Sequence, residues 1–182
     1  MLAILLVCAA PVIASYFAYY VVRPEGRTNY GELLLPLQGV DGLAAGGPDG
    51  RPFTLAQFRG KWVMLTVDSG ACAKACEDKL YSMRQVRLTT GKDRDRVERL
   101  LLLTDAAALP AEIAREHEGM HVARAQADAV ARLFPAAAQA SVSDHIFVVD
   151  PLGNLVMRFP KAADPNRMKK DIAKMLRVSR VG

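Results

Sequence analysis

The N-terminal stretch of this 182-residue sequence lacks charge altogether, since no charged residue occurs between Met1 and Val22. Built as a helix, an apolar run of that length can cross the roughly 30 Å hydrocarbon core of a bilayer. Aromatic residues cluster at its C-terminal end and Arg23 and Arg27 follow, which is typical of a membrane interface. The stretch also lacks the basic start and short apolar region of a cleaved signal peptide. Residues 1–22 are therefore predicted to form an uncleaved transmembrane anchor.

The sequence has no basic run interleaved with aromatic residues, although its formal net charge is +5. Its 24 Lys and Arg residues are dispersed among 19 Asp and Glu residues, which argues against nucleic acid as a partner. An anionic membrane surface or an acidic protein is compatible with that charge. There is no internal repeat, and 182 residues suffice for one ordinary domain with an appendage.

Beyond the apolar stretch, residues 23–50 are rich in Gly and Pro and predict a tether that passes into an edge element. The remainder, 51–182, alternates strand-like apolar runs with amphipathic helical patterns. The predicted strands are 61–67, 99–104, 121–125, 145–150 and 155–159. The predicted helices are 76–90, 111–118, 128–134 and one that Asp164 and Pro165 begin. This order predicts an α/β domain of the thioredoxin-like class, with a central sheet flanked by helices.

Cysteine is scarce, and two of only three cysteines stand where a strand passes into a helix. Cys72 and Cys76 are separated by three residues, so one helical turn brings them close enough for a disulfide or for shared metal ligation. A helix N-terminus stabilises thiolate, and Lys74 between the two cysteines adds a cation. We interpret them as a redox-active or metal-binding pair, with two buried small residues or a structural disulfide as the alternative. Cys8 lies in the apolar stretch and is interpreted as a small apolar residue.

Histidine is equally scarce, and only His145 stands where it could approach the two thiols. It begins an apolar strand, and in a thioredoxin-like sheet the loop before this strand lies beside the strand-to-helix junction. Cys72, Cys76 and His145 would form a soft ligand set suited to copper or zinc. The alternative for His145 is a partly exposed polar residue at a strand edge. His117 and His121 have a metal-like spacing, but the Gly between them predicts a solvated helix end.

From about residue 53 to residue 182 the sequence resembles the Sco/SenC family, membrane-anchored thioredoxin-fold copper proteins that assist assembly of the copper centre of cytochrome c oxidase. The resemblance lies in Phe53-Thr54-Leu55 with Gly60-Lys61, the Cys72-to-Cys76 spacing, Asp144-His145, Asp150-Pro151-Leu152-Gly153 and the closing segment Leu176 to Gly182. It implies that Cys72, Cys76 and His145 bind one copper ion. Glu77 stands where the family usually has Pro after the second cysteine.

Two functions follow as hypotheses. The first is a copper-binding protein that assists copper-centre assembly of cytochrome c oxidase, with an oxidase subunit as its client. The alternative is a membrane-anchored thiol-disulfide oxidoreductase that uses Cys72 and Cys76 to reduce cysteines of a client. The absence of Cys-x-x-Cys, and of Pro in residues 136–144, favours the first. The resemblance implies a single-pass protein of the bacterial inner membrane with its domain in the periplasm, whereas Arg23 and Arg27 on their own favour a cytoplasmic domain.

Overall fold

The computed structural model describes residues 2–17, 19–20 and 29–179, and within them eight strands form one mixed sheet. The strands are β1 (Glu32–Gly39), β2 (Ala45–Gly46), β3 (Pro52–Phe53), β4 (Trp62–Asp68), β5 (Val97–Leu103), β6 (His121–Ala125), β7 (Ile146–Val149) and β8 (Asn154–Phe159). The α-helices are α1 (Leu2–Phe17), α2 (Lys74–Thr89), α3 (Ala111–Glu116), α4 (Ala127–Leu133) and α5 (Pro165–Val178). Short 3-10 helices cover Leu55–Phe58, Gly91–Arg96 and Val142–Asp144.

The sheet has the strand order β1-β8-β7-β4-β5-β6-β2-β3, with β4 parallel to β5 and antiparallel to β7. All of β5 and the first six residues of β4 are buried, which is why β4 and the last four residues of β5 are nearly continuous apolar runs in the sequence. The predicted strand at 61–67 is confirmed with a shift of one residue, and the strand at 121–125 is confirmed with its bounds. The predicted thioredoxin-like sheet flanked by helices is therefore present.

Side chains alternate between two core faces of this sheet. On β7, Phe147 and Val149 pack with residues of α4, whereas Ile146 and Val148 pack with residues of α2 and α5. On β5, Leu100 and Leu102 join the α4 face, while Leu101 and Leu103 lie on the face of α2 and α3. The two-residue period of a strand makes this separation strict along each strand.

The predicted anchor overlaps helix α1, which contains Pro11. Among the helices in the described part of the chain, none combines the length and the apolar character that a membrane span requires. Residues 1, 18 and 21–22 of the predicted anchor lie outside the described residues.

The edge element predicted within residues 23–50 is β1, which pairs with β8. Residues 23–28 of the predicted tether lie outside the described part of the chain. The predicted start of α5 is confirmed, because the Asp164 carboxylate accepts the N–H of Asn166 at 2.8 Å. Asp171 of α5 is buried and accepts the Gly31 N–H at 2.8 Å, which ties the segment before β1 to this helix.

Candidate functional site

The candidate site lies where β4 passes into α2. Strand β4 ends at Asp68, Cys72 follows in the connecting loop, and Cys76 lies in the first turn of α2. The two cysteines form a disulfide with a Cα–Cα distance of 5.1 Å. The predicted proximity of the pair is therefore confirmed, while Cys8 is a free, exposed cysteine.

The disulfide is shielded from solvent. Cys72 and Cys76 are 2% and 1% exposed and pack against Leu80, Leu101 and Ile113 on the face of α2 and α3. The alanines that flank the cysteines at positions 71, 73 and 75 are exposed. The disulfide is therefore buried beneath a loop whose exposed residues beside the cysteines include three alanines.

Cys72 occupies a backbone conformation that is uncommon for a residue with a side chain. Its φ angle is +41°, in the left-handed region, which costs about 1–2 kcal/mol relative to right-handed backbone. Such conformations persist where surrounding contacts enforce them, and they cluster at functional sites. Here the N–H of Cys72 donates to the carbonyl of Ser69 at 3.1 Å.

The loop before Cys72 is held by Asp105, which follows β5. The Asp105 carboxylate accepts the Ser69 hydroxyl at 2.5 Å, the Gly70 N–H at 2.9 Å and the Ala107 N–H at 3.2 Å. The hydrogen bond from Ser69, with that from Gly70, holds the pKa of Asp105 below its usual range. A Cβ on Gly70 would lie 1.9 Å from the carbonyl oxygen of Ala107, so only glycine allows the two loops to approach this closely.

A buried ammonium group holds the opposite side of the junction. Lys79 of α2 is 8% exposed, and its Nζ donates to the Asp68 carboxylate at 2.7 Å and to the Val67 carbonyl at 3.3 Å. It also donates to the carbonyl of Ser143 in the loop before β7. All three donors of the ammonium are thus used, and they join the end of β4, the first turns of α2 and the loop before β7.

The sequence suggested that Lys74 supplies a positive charge to the thiols, but its ammonium group pairs with Asp78 instead. Its Nζ lies 2.6 Å from the Asp78 carboxylate, and that hydrogen bond raises the pKa of Lys74. The i,i+4 spacing explains the difference, because Asp78 lies one turn further along the same exposed helix surface. Glu77 in the first turn adds a negative charge near Cys76, so the helix N-terminus is the remaining source of thiolate stabilisation.

His145 lies on the other face of the sheet. Its Nδ1 is 2.9 Å from the Phe159 carbonyl and its Nε2 accepts the Ala137 N–H at 3.1 Å, so the proton resides on Nδ1. The ring contacts Phe147, which belongs to the α4 face, whereas Cys76 packs on the face of α2 and α3. Burial holds the pKa of His145 below its ordinary value. The structure therefore brings Cys72 and Cys76 together but does not bring His145 to them.

The positions of Cys72, Cys76 and His145 decide whether these residues can bind one metal ion together. Within the described residues, no group of three or more His, Cys, Asp or Glu side chains is arranged to hold a metal ion. Two thiolates would remain after reduction of the disulfide, and they suit a soft ion, but both ring nitrogens of His145 already have backbone partners. The predicted three-ligand copper set does not fit this arrangement.

The other two histidines differ in their exposure to solvent. His117 is buried at the end of α3, so the predicted solvated helix end is wrong at this residue, and burial lowers its pKa. The N–H of His117 donates to Ile113, whose side chain packs in the core between α3 and the sheet. His121 is exposed instead and lies 3.4 Å from the Glu98 carboxylate.

Asp105 and Lys79 are the site residues that sequence reasoning missed. A signal for Asp105 exists, since β4 and β5 are parallel neighbours and the residues after both strands meet at one sheet edge. Lys79 offers no such signal, because a lone Lys in a helix is normally exposed.

The fold and the site define a thioredoxin-like protein with a disulfide at the N-terminus of its first domain helix. Residues 62–179 match the family model described as the transmembrane-like, thioredoxin-like, C-terminal domain. The match covers more than half of the sequence, and the chain belongs to this family. No curated protein matches it in sequence.

Solved structures share the fold. Apo Sco1 from Thermus thermophilus has 23% identity and a TM-score of 0.62, with 84% of this chain and 99% of that chain covered. Yeast Sco1 with copper bound has 18% identity and a TM-score of 0.59, covering 85% and 96%. The thioredoxin domain of a thiol-disulfide oxidoreductase from Bacteroides vulgatus has 18% identity and a TM-score of 0.51, covering 76% and 98%. The Sco-like resemblance is confirmed at the level of the fold.

Proposed function

We propose that this chain is a membrane-tethered thiol-disulfide oxidoreductase whose Cys72 and Cys76 reduce a disulfide in a client protein. The observation that carries the proposal is the Cys72–Cys76 disulfide at a helix N-terminus, with no group of three or more metal-binding side chains in the described residues. Thiol-disulfide exchange needs two thiols and no metal. The similar thioredoxin domain of a thiol-disulfide oxidoreductase supports the same chemistry.

The exchange takes place in two displacements. The Cys72 thiolate attacks one sulfur of the client disulfide, so that the client S–S bond breaks and a mixed disulfide forms. The Cys76 thiolate then attacks the Cys72 sulfur, which closes the intramolecular disulfide and releases the second client thiolate. Two electrons pass to the client, its thiolates take protons from water, and a dithiol reductant of the same compartment must regenerate the pair.

Cys72 is assigned as the attacking residue because it precedes the helix in a loop of small, exposed neighbours. Cys76 is fixed in the first turn of α2, where its N–H donates to the Ala73 carbonyl at 2.7 Å. The bonds of Asp105 to Ser69 and Gly70 position the loop that carries Cys72.

The test follows reduction of a disulfide-containing model peptide by the reduced full-length chain. We expect Cys76→Ser to accumulate a mixed disulfide through Cys72, and Cys72→Ser to form none. Mass spectrometry of the trapped species identifies the linked cysteine. Cys8→Ser is the matched control and should react like the parent. An intramolecular disulfide that never opens across glutathione redox buffers would show that the bond is structural.

A second candidate function is copper binding by the reduced pair, in support of copper-centre assembly of cytochrome c oxidase. The Sco1 structure solved with copper bound, which shares this fold, favours it. Two thiolates are suitable ligands for Cu(I). We expect either cysteine-to-serine change to abolish tight Cu(I) binding in competition titrations. Because the His145 ring packs on the α4 face, His145→Ala should leave Cu(I) affinity unchanged. A loss of affinity of about 10–100-fold, which is typical of perturbing a metal site, would instead show that His145 takes part in copper binding.

We also propose that residues 1–22 anchor the chain in the bacterial inner membrane as a single span, with the domain in the periplasm. The uncharged N-terminal sequence and the family description support this location. A reducible pair in an oxidising compartment supports the periplasmic side. Protease added to spheroplasts should digest the domain, and full protection would place it in the cytoplasm.

A further inference from the structure

We propose that the end of the domain opposite the disulfide is a membrane-docking surface, which binds an anionic bilayer through the C-terminal part of α5 and the exposed apolar residues beside Trp62. The inference rests on the proposed anchor but not on the thiol chemistry. It assigns an orientation to the domain, with the disulfide directed away from the lipid.

Strand β4 connects the two ends of the domain that the proposal distinguishes. Trp62 is the first residue of this strand, and the loop that carries Cys72 follows its last residue. Seven residues of strand separate them by about 20 Å. The last turn of α5 lies at the Trp62 end, because Met175 and Val178 line the same groove as Trp62.

Helix α5 presents a basic surface. Its exposed charged residues are all cations, namely Arg167, Lys169, Lys170, Lys174 and Arg177. The single acidic residue of the helix, Asp171, is 5% exposed and holds the Gly31 N–H, so it does not neutralise that surface. Positions 167, 170, 174 and 177 recur at helical spacing and therefore form one stripe. A stripe of this kind complements anionic lipid headgroups.

Apolar side chains lie next to the stripe. A groove of about 410 Å³ beside Trp62 is lined by Leu33, Leu152 and Val178, all of which are exposed, Val178 to 75%. Asp150 also lines the groove, but its carboxylate accepts the N–H groups of Leu152 and of Asn154. Exposed apolar residues beside cations form the pattern of surfaces that lie in the lipid interface.

The chain length places this surface within reach of the membrane. Seven residue steps separate Val22, the last residue of the predicted anchor, from Asn29, so the start of the domain lies at most about 25 Å from the end of that anchor. Strand β1 follows directly and exposes Leu35 and Leu37 along the sheet edge. The exposed leucines follow the predicted anchor within about 15 residues of its end.

The experiment uses Trp62 as a native probe, since the chain has one Trp. The full-length chain is reconstituted in phosphatidylcholine vesicles with and without phosphatidylglycerol. Fluorescence quenching by brominated lipid is compared with quenching by aqueous iodide. Trp62 is 8% exposed, so iodide should quench its emission only weakly in either lipid mixture. With phosphatidylglycerol present, we expect the brominated lipid to quench Trp62 emission, and added salt should reverse this quenching.

Two charge variants separate docking from tethering. Lys170→Gln with Arg177→Gln should weaken the domain–lipid contact on the order of 30-fold, about fivefold for each charge. Arg51→Gln with Arg132→Gln removes two charges from the β2–β3 turn and from α4, and should quench like the parent. Equal quenching in both lipid mixtures, or a Lys170 and Arg177 variant that behaves like the parent, would overturn the proposal. Binding of an acidic protein without lipid quenching would also overturn it.

A relocated probe tests the orientation. Trp62→Phe combined with Ala71→Trp moves the fluorophore to the disulfide end, where it should remain accessible to iodide on the same vesicles. Equal lipid quenching at both positions would show that the domain has no preferred orientation. Client reduction by the parent chain, on vesicles of the same composition, reports the thiol chemistry separately, so failure of one proposal is distinguishable from failure of the other.

Discussion

Replacing the buried Lys79 by methionine tests whether its ammonium group holds the disulfide junction together. Methionine keeps most of the apolar stem but removes the ammonium that donates to the Asp68 carboxylate and to two backbone carbonyls, while Asp68 keeps the Ser69 N–H. Removing one partner of a buried ion pair costs about 3–5 kcal/mol. The Asp68 side chain is 19% exposed and regains part of its hydration, so we expect a loss of about 3 kcal/mol.

The assay is chemical and thermal unfolding of the oxidised full-length chain. For a domain of about 150 residues, a loss of about 3 kcal/mol corresponds to a fall in Tm of roughly 6–12 °C. Lys74→Met is the matched control on the same helix, because its partner Asp78 is exposed as Lys74 is. We expect no measurable change in Tm for the control.

A double-mutant cycle with Asp68→Asn identifies the source of the loss. Once Asp68 is neutral, Lys79→Met should cost about 1–2 kcal/mol less than it does in the parent, because no carboxylate is then left uncompensated. Additive losses would show that Lys79 contributes packing rather than charge pairing. A Lys79 variant as stable as the Lys74 control would refute the reasoning about the junction.

Two further changes probe His145 and Gly70. Burial depresses the pKa of His145, so the stability contributed by the neutral ring is complete above about pH 6.5 and is lost as the pH falls below it. In His145→Gln, the urea midpoint of unfolding should fall less between neutral pH and about pH 5 than it does in the parent. Part of the fall should remain, because the pKa of His117 is also depressed. Gly70→Ala places a Cβ against the Ala107 carbonyl and should cost about 1–3 kcal/mol in thermal unfolding. Gly42→Ala, whose Cβ meets nothing within 4 Å, should be neutral.

Local patterns predicted most of the fold. The continuous apolar run before the cysteines is β4, buried on both faces, and Asp164 with Pro165 begins α5 as their capping chemistry requires. The position of Cys72 and Cys76 at a strand-to-helix junction was also predictable, because a strand pattern ends and a helix pattern begins around them. These features depend on neighbouring residues, which a sequence displays directly.

The rest of the site depends on contacts between distant segments. Asp105 reaches the loop before Cys72 from the end of another strand, and Lys79 is buried because the loop before β7 supplies a carbonyl acceptor. Whether His145 could approach the thiols depended on the face to which its strand directs it. A shift of one residue along a strand moves a side chain to the other face of the sheet. The position of His145 directly before β7 in the sequence therefore does not predict which face its side chain occupies.

The orientation of His145 therefore has a chemical consequence. With an imidazole beside the thiols, the pair would have a third soft ligand, and metal binding would compete with disulfide formation. With His145 held by the Ala137 N–H and the Phe159 carbonyl on the α4 face, the thiols have each other as their nearest chemical partner. Asp105 and Lys79 fix the backbone on both sides of the pair without contributing a ligand to it. A thiol pair held in this way suits the proposed exchange, in which Cys72 and Cys76 reduce a disulfide of a client protein.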